Sequence, residues 1–164
     1  MKKYISVALL MCILCLLLGC KKTEPKNPED VTTPNFRPDG TLNITNSTGS
    51  WKATFTIEIA ETENELMQGL KYRESMQQDQ GMLFIFAVPD IYDFWMQDTY
   101  LPLDMLFIAA DGTINFIYEN AKPFSEERIT PANLHKYVLE VNAGIVKKFN
   151  IQTGDKVTWK KQSS

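Results

Sequence analysis

The sequence predicts a mainly β fold: a single compact β-barrel or sandwich, jelly-roll-like, of about seven short strands with two short helices. Three observations carry this. Short apolar or alternating runs recur along residues 42–160, as half-buried or buried strands require. Asp111-Gly112 sits between two such runs and signals a hairpin turn. Helical spacing appears only twice, after Thr62 and within 142–150, too little for a parallel sheet with crossover helices.

Ahead of that domain lies a leader. Lys2 and Lys3 precede an apolar run of 12 residues, Val7 to Leu18, the length of a signal-peptide core and too short to span a bilayer. Leu17-Leu18-Gly19-Cys20 then reads as a lipobox, with Cys20 as the lipidated first residue of the mature chain. Residues 1–19 are accordingly expected to be a lipoprotein signal peptide. Residues 20–41 are expected to be a polar tether punctuated by Pro25, Pro28, Pro34 and Pro38, with too little apolar surface to offset its ordering entropy. The expectation is an envelope protein held by lipid to a bacterial membrane, its domain outside the cytoplasm.

Cys12 and Cys15 leave with the leader, so the folded part has no thiol for a disulfide, a zinc–thiolate site or a cysteine nucleophile. The net charge is −3, and −5 once Lys2 and Lys3 are removed. No basic cluster points to nucleic acid.

Within residues 42–160 the elements follow in order. Leu42-Asn43-Ile44 reads as a short edge strand. Trp51 to Ala60 alternates, with Ala53, Phe55, Ile57 and Ile59 on one side. Thr62-Glu63-Asn64-Glu65 fits a capping box for a short helix that ends at Gly69. Met82 to Phe86 is an apolar strand, Asp93 to Thr99 another, and Leu103 to Ala109 pairs with Ile114 to Tyr118 through Asp111-Gly112. Asn120 to His135 is a long polar loop, a lid or a surface excursion. Tyr137 to Val141 is a strand, 142–150 a short helix, and Lys156 to Lys160 the last strand.

The blocks Gly69-Leu70-Lys71-Tyr72-Arg73, Gly81 to Phe86, Phe94 to Thr99 and Pro102-Leu103-Asp104, followed by Asp111-Gly112 and Leu139-Glu140, resemble the family known as domain of unknown function 192. The resemblance covers residues 42–158. Two positions depart from the family's usual pattern: Lys71, where Met is usual, and Gln97-Asp98, where Lys-Asn is usual. It implies a small β-rich domain, often secreted or lipid-anchored, with no established activity.

The candidate ligand-binding residues are Arg73, Trp95, Asp98, Thr99, Asp104 and Glu140. Trp95 alternates with Phe94 and Met96 and so faces away from them. Arg73, Asp104 and Glu140 stand beside strongly apolar sequence, where a charge is costly unless paired. They form either an internal ionic network or a polar site at a pocket mouth, with Arg73 and Asp104 expected to converge near Trp95 and Thr99. Asp93, Asp98 and Asp104 are acids near turns, where solvated or capping roles are usual. His135, the single histidine, has no histidine partner for a metal and no nucleophile-elbow sequence beside it. No catalytic set, metal site or cofactor motif is assembled. The expectation is a non-enzymatic domain binding a small molecule, glycan or partner protein. The alternatives are a carboxylate-based hydrolase or lyase acting through Asp98, Asp104 or Glu140, and an accessory subunit of an envelope assembly.

Overall fold

The computed structural model describes residues 34–162. The expected signal peptide, Cys20 and the tether up to residue 33 lie outside them. Seven strands form one sheet: β1 (Gly40–Thr45), β2 (Trp51–Ala60), β3 (Gln80–Asp90), β4 (Leu103–Ile108), β5 (Ile114–Ala121), β6 (His135–Asn142) and β7 (Lys156–Lys161), with helices α1 (Glu63–Gln68) and α2 (Ile145–Lys148). The strand order is β5-β4-β6-β3-β2-β1-β7. Neighbours are antiparallel except β2 and β3, which run parallel because the chain between them carries α1 as a crossover.

The mainly β expectation with two short helices therefore stands, and barrel or sandwich resolves into a single curled sheet. The two outermost strands, β5 and β7, touch at one corner: Ile114 donates to the Asp155 carbonyl at 2.9 Å and Val157 to the Gly112 carbonyl at 2.8 Å. The sheet is not closed along the rest of their length. β1, expected as an edge strand, is interior, lying between β2 and β7.

Alternation gives the sheet two buried faces. Phe55, Ile57, Leu83, Leu106, Leu139 and Val141 meet on one, covered by Ile145 and Val146 of α2. Met82, Phe84, Met105, Phe107 and Val138 meet on the other with Leu70, Met96 and Ile129. β4, between β5 and β6, is buried at all six positions, which accounts for its apolar sequence around Asp104.

Asp93 to Thr99 is not a strand. Its backbone bonds go mostly to the 122–130 segment, through Phe94 with Ile129 and from the Met96 amide to the Ser125 carbonyl, while the Asp98 carbonyl accepts from the Tyr72 amide. A turn at Gln97-Asp98, with Asp98 at φ 57°, ends any extended run. The expected lid or excursion is thus a cover on the second core. Arg37 and Asp39, placed by the sequence in the tether, bond to β2. The Arg37 amide donates to Glu58 at 2.9 Å and the Ile59 amide to Asp39 at 2.9 Å. The expected capping box is formed, and the Thr62 backbone amide, with its hydroxyl, holds the Glu65 carboxyl down to about 2.

Candidate functional site

The six candidate residues do not form one site. Arg73 and Asp104 are not partners, because alternation along β4 turns them to opposite faces. Leu103, Met105 and Phe107 join the second core, so Asp104 points with Leu106 toward the first and toward α2. There its carboxylate accepts from the Val146 amide at 3.0 Å and the Asn120 amide at 2.9 Å. The first is an orphan donor of the opening turn of α2, whose own N-cap, Gly144, has no side chain to offer. The second lies where the β4–β5 register shifts between Leu103 and Met105; a residue left out of the ladder there needs a partner. Asp104 is structural.

Arg73 instead pairs with Glu58, which sequence reading did not single out. The Arg73 Nη2 lies 2.5 Å from Glu58 Oε2, and both side chains are buried. Asp98 is tied down as well. It accepts from the Tyr72 hydroxyl at 3.1 Å, and this bond raises the Tyr72 phenol above its usual 10.

The remaining three, Trp95, Thr99 and Glu140, line one cavity of about 190 Å³. One wall is the end of α1 and its exit, residues 66–71. The others are Phe84 and Phe86 of β3, the 92–95 segment and Thr99, with Glu140 contributed by β6. Glu140 is placed by register. It stands between Met82 of β3 and Met105 of β4, on the face that Val138 shares. Close approach of β3 beside it depends on Gly81, where a Cβ would sit 2.8 Å from the Glu140 carbonyl oxygen. On the opposite wall Gly69, at φ 48°, brings the chain over Phe84, whose ring edge a Cβ would approach to 3.2 Å.

Glu140 is 5% exposed, and its carboxyl makes no hydrogen bond or ion pair among the described residues. Burial pushes it up to about 8, so it is largely protonated at neutral pH. Phe86 and Tyr92 stack at 3.8 Å, and Phe94 meets Phe84 edge-on at 5.3 Å. Trp95 forms the rim, half exposed, with Arg128 at 5.0 Å and Lys71 at 5.9 Å from its ring centre. The Thr99 hydroxyl is held by the Gln97 carbonyl at 3.2 Å.

The second carboxylate on this lining is Asp93, which bonds Thr130 at 2.7 Å and Arg128 at 3.4 Å. Asp98 and Asp104 do not reach the cavity, so the carboxylate pairings weighed from sequence are not assembled through them. His135 opens β6 as a buried, structural residue. Its ring sits edge-on to Phe107 at 4.9 Å and to Tyr92 at 5.6 Å, and desolvation lowers its pKa. No hydrogen bond joins it to Ser75 or Ser125 among the described residues. Nor, among those residues, do three His, Asp or Glu side chains cluster to hold a metal ion.

Comparison with known proteins agrees with this architecture. A protein of Sinorhizobium meliloti 1021, provisionally described as a transcription regulator, is 41% identical with a TM-score of 0.72; the match covers 77% of this chain and 97% of that one. A protein of unknown function from Novosphingobium aromaticivorans DSM 12444 is 31% identical with a TM-score of 0.71, covering 82% and 99%. No curated protein matches the chain. The model of the DUF192 family, described as uncharacterized ACR, matches residues 44–159, and the chain belongs to that family.

Proposed function

We propose that the chain is a lipid-anchored, extracytoplasmic binding domain that takes a small molecule into the cavity between α1 and Trp95. One observation carries the reading: a buried carboxyl, Glu140, faces an aromatic-walled cavity without a partner of its own. Burial penalises the charge of this carboxyl, and a ligand that bonds it would offset that penalty. Concave sites with apolar walls and a few convergent polar groups are the usual form of small-molecule sites.

The anchoring part rests on Leu17-Leu18-Gly19-Cys20 after the short apolar leader. Two acyl chains, at ~0.8 kcal/mol per buried methylene, give stable attachment. No helix of the described residues is long and apolar enough to cross a membrane. The regulator description of the Sinorhizobium protein gains no support from this chain, whose net charge of −3 offers no footprint for nucleic acid.

The test is a fragment screen on the full chain in detergent, read by amide chemical shifts. Binding at the cavity perturbs residues 66–71, 92–99 and 138–141 together. Fragments that perturb only other surfaces, or none at all, overturn the binding reading. Fractionation of a Cys20→Ser variant checks the anchor independently; unchanged processing and membrane association would remove it.

A further inference from the structure

We infer that the ligand of this cavity is a small organic cation, a primary or N-methylated ammonium head seated against the Glu140 carboxyl and the aromatic walls. The inference rests on the binding role proposed for the cavity and narrows it to a chemical class.

The choice follows from what the cavity can and cannot satisfy. Its buried polar equipment is sparse: the Glu140 carboxyl, and a Thr99 hydroxyl already engaged by the Gln97 carbonyl. At the buried end a sugar or polyol would bring several hydroxyls to few partners, and each unpaired one is penalised; the other polar groups of the lining, Gln68, Lys71, Tyr92 and Asp93, are more exposed. An anion would meet a carboxyl at the innermost point. A single cationic head needs one counter-charge, which Glu140 supplies on ionising, and aromatic faces, which attract cations through the ring quadrupole. Phe84, Phe86, Tyr92 and Phe94 line the cavity, and Trp95 at its rim already carries Lys71 and Arg128 over its ring. About 190 Å³ admits a head of this kind with a short alkyl group and little more.

The surrounding charges place the head at the inner end. On the rim Asp93 is taken up by Arg128, which with Lys71 lies over Trp95, so two cations face one carboxylate there and an ammonium head seats beyond them against Glu140; Tyr92 adds a phenol. From β3 and β4 the neighbours of Glu140 are Met82 and Met105. Beyond Met82 stands Glu58 of β2, already paired with Arg73. Glu140 is therefore the one carboxyl of the lining left for a ligand's charge.

Binding is then a proton exchange. The neutral Glu140 carboxyl, favoured in the empty cavity by burial, loses its proton to solvent as the cation enters, leaving an ammonium–carboxylate pair. Tetramethylammonium, permanently charged, is the probe, with tert-butanol and methyl glucoside as neutral controls and acetate as the anion. The full chain is titrated with each by calorimetry in two buffers of different ionisation enthalpy and by amide shifts.

The expected result is that tetramethylammonium binds, releases close to one proton at pH 6.5, and tightens about tenfold per pH unit up to about 8 before levelling. Glu140→Gln should abolish the proton release and weaken binding at least tenfold. Trp95→Leu, at an exposed rim position, should weaken it several-fold while leaving the proton release intact. Binding of tert-butanol, methyl glucoside or acetate without tetramethylammonium overturns the cation class and leaves the cavity a binding site. Tetramethylammonium binding with no proton release overturns the role of Glu140. Shifts at none of the cavity residues with any probe overturn both the cation class and the binding reading.

Discussion

Arg73 and Glu58 form the buried ion pair that holds the chain after α1 against β2. Glu58 accepts from Arg73 through one carboxylate oxygen and from the Arg37 amide through the other, so one side chain ties two segments to the sheet. The second guanidinium contact is missing: Arg73 Nε is buried without a partner among the described residues. Breaking such a pair strands a charge, whereas replacing both partners removes the desolvation penalty along with the attraction. Arg73→Met alone should destabilise by ~3–5 kcal/mol. The double variant Arg73→Met with Glu58→Leu should recover most of that loss, short of ~1 kcal/mol for the Arg37 amide left behind. Urea unfolding of the four proteins of this cycle measures it. A double variant as unstable as the single one would show that the pair contributes through more than its charges.

Asp104 makes a different prediction because its partners are backbone amides. Asp104→Leu fits the apolar strand but strands the Val146 and Asn120 donors, and should destabilise by ~2–5 kcal/mol. Asp104→Asn keeps one acceptor oxygen and should fall between Leu and the native residue. Hydrogen exchange at Val146 should rise in both variants before global unfolding does. Unchanged protection there would mean that α2 is held by Ile145 and Val146 packing alone.

Locally caused features were legible in the sequence. The period of β2, the capping box at Thr62 and the turn at Asp111-Gly112 each follow from residues within a few positions. Glu140 also stood out, because a carboxyl between Leu139 and Val141 needs a reason. The partner of Arg73 did not stand out. Glu58 continues the polar positions Thr54 and Thr56 of an alternating strand, which reads as a solvated face; only the cover laid down by α1 and residues 70–76 buries it. Arg73 with Asp104 failed for a related reason. Both charges sit beside apolar sequence, but which face of a fully buried strand each meets depends on long-range pairing. Asp93 to Thr99 had strand composition, yet its hydrogen bonds were claimed by a distant loop.

His135 should make the fold sensitive to acid. Desolvation lowers its folded pKa below the ordinary 6.5, opposed by its bond to the Asn133 carbonyl and the charge of Asp90. The unfolded chain thus takes up the proton first. The stabilisation is complete above pH 6.5 and is lost as pH falls from there through the lower folded value. His135→Phe keeps an aromatic ring among Phe86, Tyr92 and Phe107 and has nothing to protonate. Its stability near pH 7 should lie within ~1 kcal/mol of the native one, while its decline between pH 6.5 and 5, followed by melting temperature, should be shallower. Parallel declines for the two proteins would assign the acid sensitivity to other groups.

Glu140 predicts the opposite slope. Its folded pKa, about 8, lies above the ordinary 4.5 because burial disfavours the carboxylate. Between those values the folded state holds a proton that the unfolded chain has already lost, so folding stability falls as pH rises from about 4.5 to about 8 and levels beyond. Each pKa unit is worth 1.36 kcal/mol, so the full effect is on the order of a few kcal/mol. Glu140→Gln preserves shape and cannot ionise, and it should flatten this part of the profile. The two proteins should be nearly equal in stability at pH 4.5 and the variant clearly more stable at pH 8. Adding tetramethylammonium supplies a counter-charge, so it should raise the native protein's melting temperature more at pH 8 than at pH 6 and leave the variant almost unmoved. Equal pH profiles with and without Gln would mean that Glu140 ionises freely, and the unpartnered carboxyl would no longer set the chemistry of the cavity.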